Sequence, residues 1–234
     1  MFFFNKLLCS TKKRLLFPGR KRKDFSYLSG ERQIANQYKD IRRDHRARYE
    51  LADKILPKNS SVADVFCGNG YGTNLLATSR TALGIDGSAE AITIARKKYS
   101  SNRARFDCQC FPTLNLKNYD SVVSFESVEH VNNGGNFLQY LIDRVLPNGC
   151  LIFSTPNETL LPFDPAIQIH HVRHYTLEET LNLAANNGCR IETWFGQNVY
   201  QIAKDGKLSV LNEDTMELKR EEPGQFTTVV ATKT

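Results

Sequence analysis

The chain has 234 residues, 41% of them hydrophobic, and a formal net charge of +6. This length and composition suit one elaborated domain that buries its own core, and they argue against two domains. The six scattered cysteines lack zinc-ligand spacing, so we predict no metal site and expect reduced thiols in a cytoplasmic protein.

The positive charge is concentrated at the N-terminus. Residues 1–48 contain fourteen Lys and Arg against four Asp and Glu, which gives this segment a charge of +10 and the remainder −4. We therefore predict a basic arm over residues 1–30 and a single domain over 31–234. The arm favours an anionic partner such as a phosphorylated or lipid-linked glycan, a phospholipid surface or, less favoured, nucleic acid. A solvated tail is the alternative.

Residues 1–17 place apolar side chains at near-helical spacing among Lys and Arg. The stretch is too short to span a bilayer, and no small-residue cleavage site follows it as in a secretory signal. It is interpreted either as an amphipathic helix on the inner face of the membrane or as a stripe packed onto the domain.

From residue 31 onward, helical and strand patterns alternate. A helix is predicted over 31–56, where Pro57 stops it. The following strands are predicted at 61–66, 81–86, 104–108, 119–125 and 150–154, with helices at 70–79, 89–99 and 136–145. This alternation is typical of a parallel sheet covered by helices on both faces.

In the last third of the chain, the residue pattern predicts a helix over 176–187 and strands at 190–195 and 225–232. Asp205-Gly206 between two short strands is a hairpin signal. The predicted fold class is therefore α/β, a Rossmann-like doubly wound sheet of about seven strands, mostly parallel, with a terminal antiparallel hairpin. The proline- and histidine-rich segment 155–175 is expected to be a long loop that lines the substrate side.

A glycine-rich turn joins the first strand to the next helix. Its glycines, Gly68, Gly70 and Gly72, do not follow the G-x-G-x-x-G spacing, and no lysine follows as in a phosphate loop. Such a turn lets backbone N–H groups approach a ligand closely. Asp86 ends the second strand, where a carboxylate can accept both ribose hydroxyls; capping the helix near Ser88 is its alternative role.

Segment 62–72 resembles the first motif of class I S-adenosylmethionine-dependent methyltransferases. In that comparison Asp64 is the strand acid, Phe66 replaces the first glycine, and Gly68 and Gly70 match. The resemblance continues through 46–49, 124–131, 146–149, 154–157 and 171–173. The chain is similar in particular to bacterial methyltransferases that accompany glycosyltransferases and modify surface polysaccharides. The resemblance implies S-adenosylmethionine as the cofactor.

The resemblance also implies which residues hold the cofactor. Asp86 would bind the ribose, and Phe111 would contact adenine, near Cys110, which stands where the family usually has an aspartate. Arg48 or Tyr38 would meet the cofactor carboxylate. The expected cofactor-binding residues are Arg48, Asp64, Phe66, Cys67, Gly68, Asn69, Gly70, Asp86, Gly87, Cys110, Phe111 and Glu126.

Methyl transfer from a sulfonium needs mainly an aligned acceptor and the exclusion of water. An alcohol acceptor also needs a base, and a histidine beside a carboxylate suits that task. We assign the base to His130, with Glu126 and Glu129 near it in sequence; a loop-orienting hydrogen bond is its alternative role. His171 is the second candidate. The expected catalytic set is His130, His171 and Glu126.

The acceptor is expected to be a hydroxyl of a sugar, phosphosugar or glycan. Methylation of nucleic acid, protein or another small molecule is the alternative, although residues 124–127 do not form the Asn/Asp-Pro-Pro-aromatic motif of amino-methylating enzymes. A non-catalytic cofactor-binding subunit is the third interpretation. His170 and His174 are expected at the surface.

Overall fold

A computed structural model of the chain describes residues 37–204 and 206–234. The basic arm predicted over residues 1–30 lies outside this part, and so do the first six residues of the helix predicted over 31–56. Within the described part, no helix is long and apolar enough to cross a bilayer.

In the part of the chain that the structure describes, ten strands form two sheets. They are β1 Ser61–Val65, β2 Thr81–Asp86, β3 Ala104–Cys108, β4 Tyr119–Phe125, β5 Val145–Pro156, β6 Cys189–Gln197, β7 Tyr200–Ile202, β8 Leu208–Val210, β9 Lys219–Arg220 and β10 Phe226–Lys233. The main sheet has the order β3-β2-β1-β4-β5-β10-β6-β9. Its first five strands are parallel, and β10 runs antiparallel between β5 and β6. The predicted α/β class with a largely parallel sheet is confirmed.

The hairpin predicted around Gly206 forms between β7 and β8. It is a separate two-stranded sheet rather than the end of the main one. A small apolar cluster of Leu161, Val199, Met216 and Phe226 packs with partly buried residues of the hairpin, including Tyr200. The antiparallel part of the main sheet is therefore built by β10 and β9.

Five α-helices accompany the sheet in the described part of the chain. They are α1 Arg43–Ile55, α2 Tyr71–Leu76, α3 Ala89–Tyr99, α4 Gly134–Asp143 and α5 Leu177–Ala185. The first begins later than predicted, because Ile41 and Arg42 are extended and the Arg42 guanidinium binds the carboxylate of Asp44. At α5 the predicted N-cap Thr176 forms a capping box with Glu179.

The helices cover both faces of the sheet. Consecutive residues of β1 point to opposite faces, so that Val62 packs in a cluster with α1, α2 and α3, whereas Ala63 packs in a cluster with α4 and α5. This confirms the doubly wound arrangement. In such sheets, ligands bind where the parallel strands end at their carboxyl edge, here after β1, β2 and β4.

Candidate cofactor and acceptor site

The turn after β1 is held in a left-handed backbone conformation at three residues. Phe66, Gly68 and Gly70 have φ angles of 68°, 57° and 85°. A Cβ atom at Gly70 would lie 2.6 Å from Cε1 of Phe106, so only glycine fits there. A Cβ atom at Gly68 would meet nothing within 4 Å. The turn thus packs against Phe106 at Gly70 and is open to a ligand at Gly68.

Phe66 takes the place of a motif glycine although its backbone is left-handed, a conformation that costs a non-glycine residue about 1–3 kcal/mol. Its ring packs edge-on against Phe137, with ring centroids 5.5 Å apart. It also stacks with the His130 ring at 6.3 Å and an interplanar angle of 16°. Phe66 therefore links the turn to α4 and to the histidine expected as base.

A pair of variants tests this compensation between strain and packing. We expect both Phe66→Gly and Phe66→Ala to lower the free energy of unfolding, because both lose the ring contacts. Phe66→Gly is expected to be the more stable of the two, since alanine keeps the backbone strain; in ordinary positions glycine is less stable than alanine by roughly 0.5–1 kcal/mol. Urea unfolding of both variants measures the difference, and an alanine variant that is more stable than the glycine variant would contradict the expectation.

Asp86 ties two turns together at the end of β2. One carboxylate oxygen, Oδ2, accepts from the Gly68 backbone N–H at 3.0 Å, and Oδ1 accepts from the Ser88 N–H at 2.8 Å. Ser88 itself caps α3 by accepting from the Ala91 N–H. The cap of α3 is thus Ser88 and not Asp86. Because an ionised carboxylate can accept about four hydrogen bonds, Asp86 can serve ribose hydroxyls beside these two amides.

The segment after β3 lies beside this acid. A Cβ atom at Gly87 would be 3.2 Å from Cβ of Cys110, which brings the two turns into contact. The Phe111 ring packs edge-on against Phe137 at 5.3 Å. Cys110 is disulfide-bonded, whereas four other cysteines in the described residues are not in disulfides: Cys67, Cys108, Cys150 and Cys189. The prediction of reduced thiols is therefore wrong for Cys110.

Together these turns fit S-adenosylmethionine. Cys67 is buried and its N–H donates to the Ile85 carbonyl oxygen, so the turn is fixed against β2. The Oδ1 atom of Asn69 is buried without a hydrogen-bond partner among the described residues, which leaves an acceptor in the turn for a ligand. With Asp86 for the ribose and Phe111 for adenine, the site offers groups for each part of the cofactor. These assignments remain predictions.

Asp64 lies beneath the turn and is fully buried. Its carboxylate accepts from Oγ1 of Thr73 at 2.5 Å and from the Tyr49 hydroxyl at 3.1 Å. Burial raises the pKa of Asp64 to about 7, against the opposing effect of these two hydrogen bonds, and the negative charge of Asp86 raises it further. Asp64 thus joins α1 and α2 to β1.

This pKa has a consequence for stability. In the native chain Asp64 stays protonated up to about pH 7, whereas in the unfolded chain it ionises near its ordinary value of 3.8. Between these two pH values the unfolded state therefore binds fewer protons than the native state. The contribution of Asp64 to the free energy of unfolding consequently falls as pH rises from about 4 to 7.

We expect Asp64→Asn to remove this dependence. Relative to wild type, the variant should gain on the order of a few kcal/mol between pH 4 and pH 8, since each pKa unit corresponds to about 1.4 kcal/mol. Urea unfolding of both proteins across this range measures the difference. A difference that does not change with pH would show that the native Asp64 pKa is not raised.

Arg48, expected at the cofactor carboxylate, is 1% exposed. Its Nε donates to Oε1 of Gln197 at 3.0 Å, and its Nη atoms lie 3.4 Å from Asp44 Oδ2 and 3.6 Å from Glu126 Oε1. These contacts place it at the core of an ionic network that joins α1 to β6. Arg48 is connected to the site through its contact with Glu126. Its contact with the cofactor carboxylate stays a prediction.

Glu126 follows β4 in a left-handed conformation, with φ of 49°. Its Oε1 accepts from the Ser154 hydroxyl at 2.6 Å. Burial raises the pKa of the Glu126 carboxyl, and the positive charge of Arg48 opposes that rise. The structure therefore places this predicted residue at the carboxyl edge, held between β5 and Arg48.

The two histidines expected to be catalytic meet at this edge. A short 3-10 helix, Val128–His130, follows β4 and carries His130. Its ring lies 4.6 Å from the His171 ring, centroid to centroid, and nearly perpendicular to it. Nδ1 of His130 bonds to the carbonyl oxygen of His170 at 3.1 Å. This loop-orienting bond, the alternative role considered for His130, is present, and it holds the imidazole at the site.

His174 is buried, so its predicted place at the surface is wrong. Its Nδ1 donates to the carbonyl oxygen of Leu161 at 2.7 Å, and its Nε2 lies 2.8 Å from Nδ1 of His171. Because a carbonyl can only accept, a neutral His174 must accept the His171 proton at Nε2. His171 then carries its lone pair on Nε2. Burial, followed by the neighbouring histidines His130, His174 and His170, lowers the pKa of His171 to about 2 and keeps it neutral.

Glu129 completes the group, although sequence reasoning treated it only as a neighbour of His130. Its side chain is fully buried, and the groups beside its carboxylate include the Thr155 hydroxyl and its own backbone N–H. Oε1 lies 4.0 Å from Nε2 of His130. Burial raises the pKa of Glu129 well above its usual range, and the Glu126 charge adds to the effect. The spacing Glu126-x-x-Glu129-His130 was the available signal.

Comparisons with known proteins identify the family of this chain. Residues 34–218 match the family model described as a methyltransferase domain. A probable S-adenosylmethionine-dependent methyltransferase from Mycolicibacterium smegmatis is 27% identical over 72% of this chain and 67% of its own length. A ubiquinone biosynthesis O-methyltransferase from Rickettsia bellii is 32% identical over 67% of this chain and 71% of its own length. Similar relatives from Mycobacterium tuberculosis are matched over 60% of their length.

Solved structures share the fold. An S-adenosylmethionine-dependent methyltransferase from Mesorhizobium loti superposes with a TM-score of 0.61 at 17% identity, covering 81% of this chain and all of the other. A Thermotoga maritima methyltransferase described as a possible histamine N-methyltransferase gives a TM-score of 0.61 at 16% identity, over 82% of this chain and 92% of the other. At these identities the likeness concerns the fold alone.

Proposed function

Because this chain belongs to the S-adenosylmethionine-dependent methyltransferases, whose domain model matches residues 34–218, we propose that it methylates a hydroxyl group of a sugar, phosphosugar or glycan. The observation that carries the choice of a hydroxyl is the group formed by the buried Glu129 and the partly buried His130 and His171 at the carboxyl edge of the sheet. A hydroxyl is a poor nucleophile until its proton is removed, and these side chains are suited to assist that removal.

The residues of the chain have three tasks in this reaction. Asp86 and the turn after β1 hold the cofactor, which supplies an electrophilic methyl group when it is bound. The loop 157–176 packs across the carboxyl edge of the sheet and brings His171 to His130. In this position the loop orients the acceptor and excludes water. The group around Glu129 then promotes loss of the hydroxyl proton.

Several relatives support an oxygen acceptor, since they are O-methyltransferases of ubiquinone biosynthesis. For the glycan part of the proposal, the support is the resemblance of segments 124–131 and 171–173 to methyltransferases of surface polysaccharides. The basic residues 1–30 favour an anionic or lipid-linked acceptor at the inner face of the membrane in the cytoplasm. Nucleic acid is the less favoured partner of the same arm.

Transfer of a labelled methyl group tests this proposal. The full chain is incubated with labelled S-adenosylmethionine and separated glycan, lipid, RNA and protein fractions of the source cell. We expect label in the glycan or glycolipid fraction. Label confined to RNA or protein would contradict the glycan proposal, and cofactor binding without any transfer would favour a non-catalytic subunit.

A variant of the full chain tests the arm. Replacing Lys12, Lys13 and Arg14 by serine removes three positive charges and should reduce binding to vesicles that contain anionic lipid, since each basic residue near such a surface contributes about 1 kcal/mol. Vesicles of neutral lipid are the control. Equal binding of both proteins to anionic vesicles would exclude this role of the arm.

A further inference from the structure

A shallow groove lies beside the candidate acceptor site, between α5 and the end of the loop 157–176. It has a volume of about 260 Å³, which is the room of roughly nine water molecules and suffices for a sugar ring. Its lining includes Arg173, Tyr175, Glu179, Asn182, Leu183 and Asn186. We propose that this groove binds the part of a neutral oligosaccharide that adjoins the methylated sugar. The choice of a glycan rests on the proposed function, since the groove is a second contact for the same acceptor.

Two carboxamides on one side of the groove are suited to bind hydroxyl groups. Asn182 lies on α5 and Asn186 is its C-cap, and both residues are exposed. Because they are four residues apart, their side chains lie on the same face of the helix. A carboxamide offers donors and an acceptor, and a hydroxyl group can pair with either. Asn182 and Asn186 therefore present a row of groups that matches the hydroxyls along the edge of a sugar.

Arg173 is held in place on the other side of the groove. Its Nη2 donates to Oε1 of Glu179 at 2.6 Å, and its Nε donates to the carbonyl oxygen of His174 at 3.1 Å. A guanidinium has five N–H donors, so donors of Arg173 remain for a ligand, and their fixed position lowers the entropic cost of binding. The Glu179 carboxylate offsets the charge of Arg173. This balance of charge favours a neutral ligand rich in hydroxyls over a phosphate or an acidic peptide.

Apolar surface accompanies these polar groups. Leu183 is partly buried and lines the groove between the two asparagines in sequence. The ring of Tyr175 lies beneath the guanidinium of Arg173, whose central carbon is 4.4 Å from the ring centre. A sugar ring presents C–H groups on its faces and hydroxyls at its edge. A groove that combines apolar side chains with a few placed polar groups fits both.

The groove adjoins the two histidines of the acceptor site. His171 and Arg173 are two residues apart, so their Cα atoms are separated by at most about 7 Å. The start of α4, four residues after His130, also borders the groove, because a Cβ atom at Gly134 would collide with the Tyr175 hydroxyl. A glycan whose methylated sugar lies at His130 and His171 therefore has its next sugar within reach of the groove.

Ligand-observed NMR titration of the full chain with S-adenosylhomocysteine tests the groove. The probes are neutral oligosaccharides released from the source cell and short oligosaccharides of glucose, galactose, mannose and N-acetylglucosamine. A double variant, Asn182→Ala with Asn186→Ala, should weaken oligosaccharide binding by about ten-fold, because it removes two neutral hydrogen-bonding groups. Alanine favours helix, so the variant is expected to fold. Asn74→Ala is the matched control, since Asn74 is an exposed asparagine on α2, on the opposite face of the sheet.

Methyl transfer to the released glycans gives a second measurement. The KM for the glycan should rise by about ten-fold in the double variant, while kcat and the cofactor dissociation constant stay within a few-fold of wild type. Wild-type chain that binds none of the oligosaccharides, or a double variant that binds them equally well, would overturn the groove. Glycan methylation with an unchanged KM would also overturn it and leave the proposed function standing. Oligosaccharide binding that depends on the groove, without any methyl transfer to glycan, would support the groove and contradict the proposed function. Circular dichroism identifies a misfolded double variant, in which case the two single variants replace it.

Discussion

Asp86→Asn is expected to raise the dissociation constant for S-adenosylmethionine by about 10- to 100-fold. The native carboxylate can accept from both ribose hydroxyls, and hydrogen bonds to a charged group contribute roughly 1.5–3 kcal/mol each. An amide keeps one acceptor and loses the charge. It also loses one of the two backbone amides, Gly68 or Ser88, that Asp86 fixes, so the turn is expected to loosen.

Isothermal titration calorimetry with S-adenosylmethionine and S-adenosylhomocysteine measures this effect. Asp143→Asn is the matched control, because Asp143 is an exposed carboxyl on α4 that accepts a hydrogen bond from the nearby Gln139. The control should bind as wild type does. An Asp86→Asn protein with wild-type affinity and a native circular dichroism spectrum would show that the ribose is held elsewhere.

His130→Ala is expected to lower the turnover number by about 100-fold or more while leaving cofactor affinity within a few-fold of wild type. Groups that help remove a proton typically contribute 10²–10⁴ in rate. The loss is expected because His130 takes up the hydroxyl proton in the proposed reaction. His130 stacks with the Phe66 ring of the cofactor turn, and alanine removes that ring contact while leaving the turn's backbone in place, so the effect on binding should be small.

The measurement compares kcat and cofactor dissociation constant for wild type, His130→Ala and His130→Asn. Asparagine keeps a polar group of similar size but cannot take up the proton, so it should also be slow. His45→Asn is the matched histidine control, since His45 lies on α1 beside Tyr71, away from the cluster. Full turnover by His130→Ala would exclude His130 from the chemistry.

The parallel sheet could be predicted because buried strands and amphipathic helices leave periodic patterns. β2, β3 and β4 agree with the predicted ranges, and so does α3. The position of β10 between β5 and β6 could not be predicted in this way, because a β-branched strand has the same pattern whichever neighbours it pairs with. The separate placement of the β7–β8 hairpin depends on tertiary packing in the same manner.

The cofactor side of the site was more accessible to sequence reasoning than the acceptor side. Asp86 and the glycine turn lie on consecutive strands, so their meeting follows from parallel topology. His171 meets Glu129 only because the loop 157–176 folds back over the edge of the sheet. The burial of His174 has the same origin, since its partners Leu161 and His171 lie within that loop.

The most direct measurement of the central claim identifies the atom that this chain methylates. The full chain is supplied with isotope-labelled S-adenosylmethionine and the fraction of source-cell glycans that accepts label, and the product is examined by NMR and mass spectrometry. We expect the label in a methyl ether on a sugar hydroxyl, formed by wild type and by His45→Asn and strongly reduced with His130→Ala. A methyl group on nitrogen, or an ether formed equally well by His130→Ala, would contradict the account.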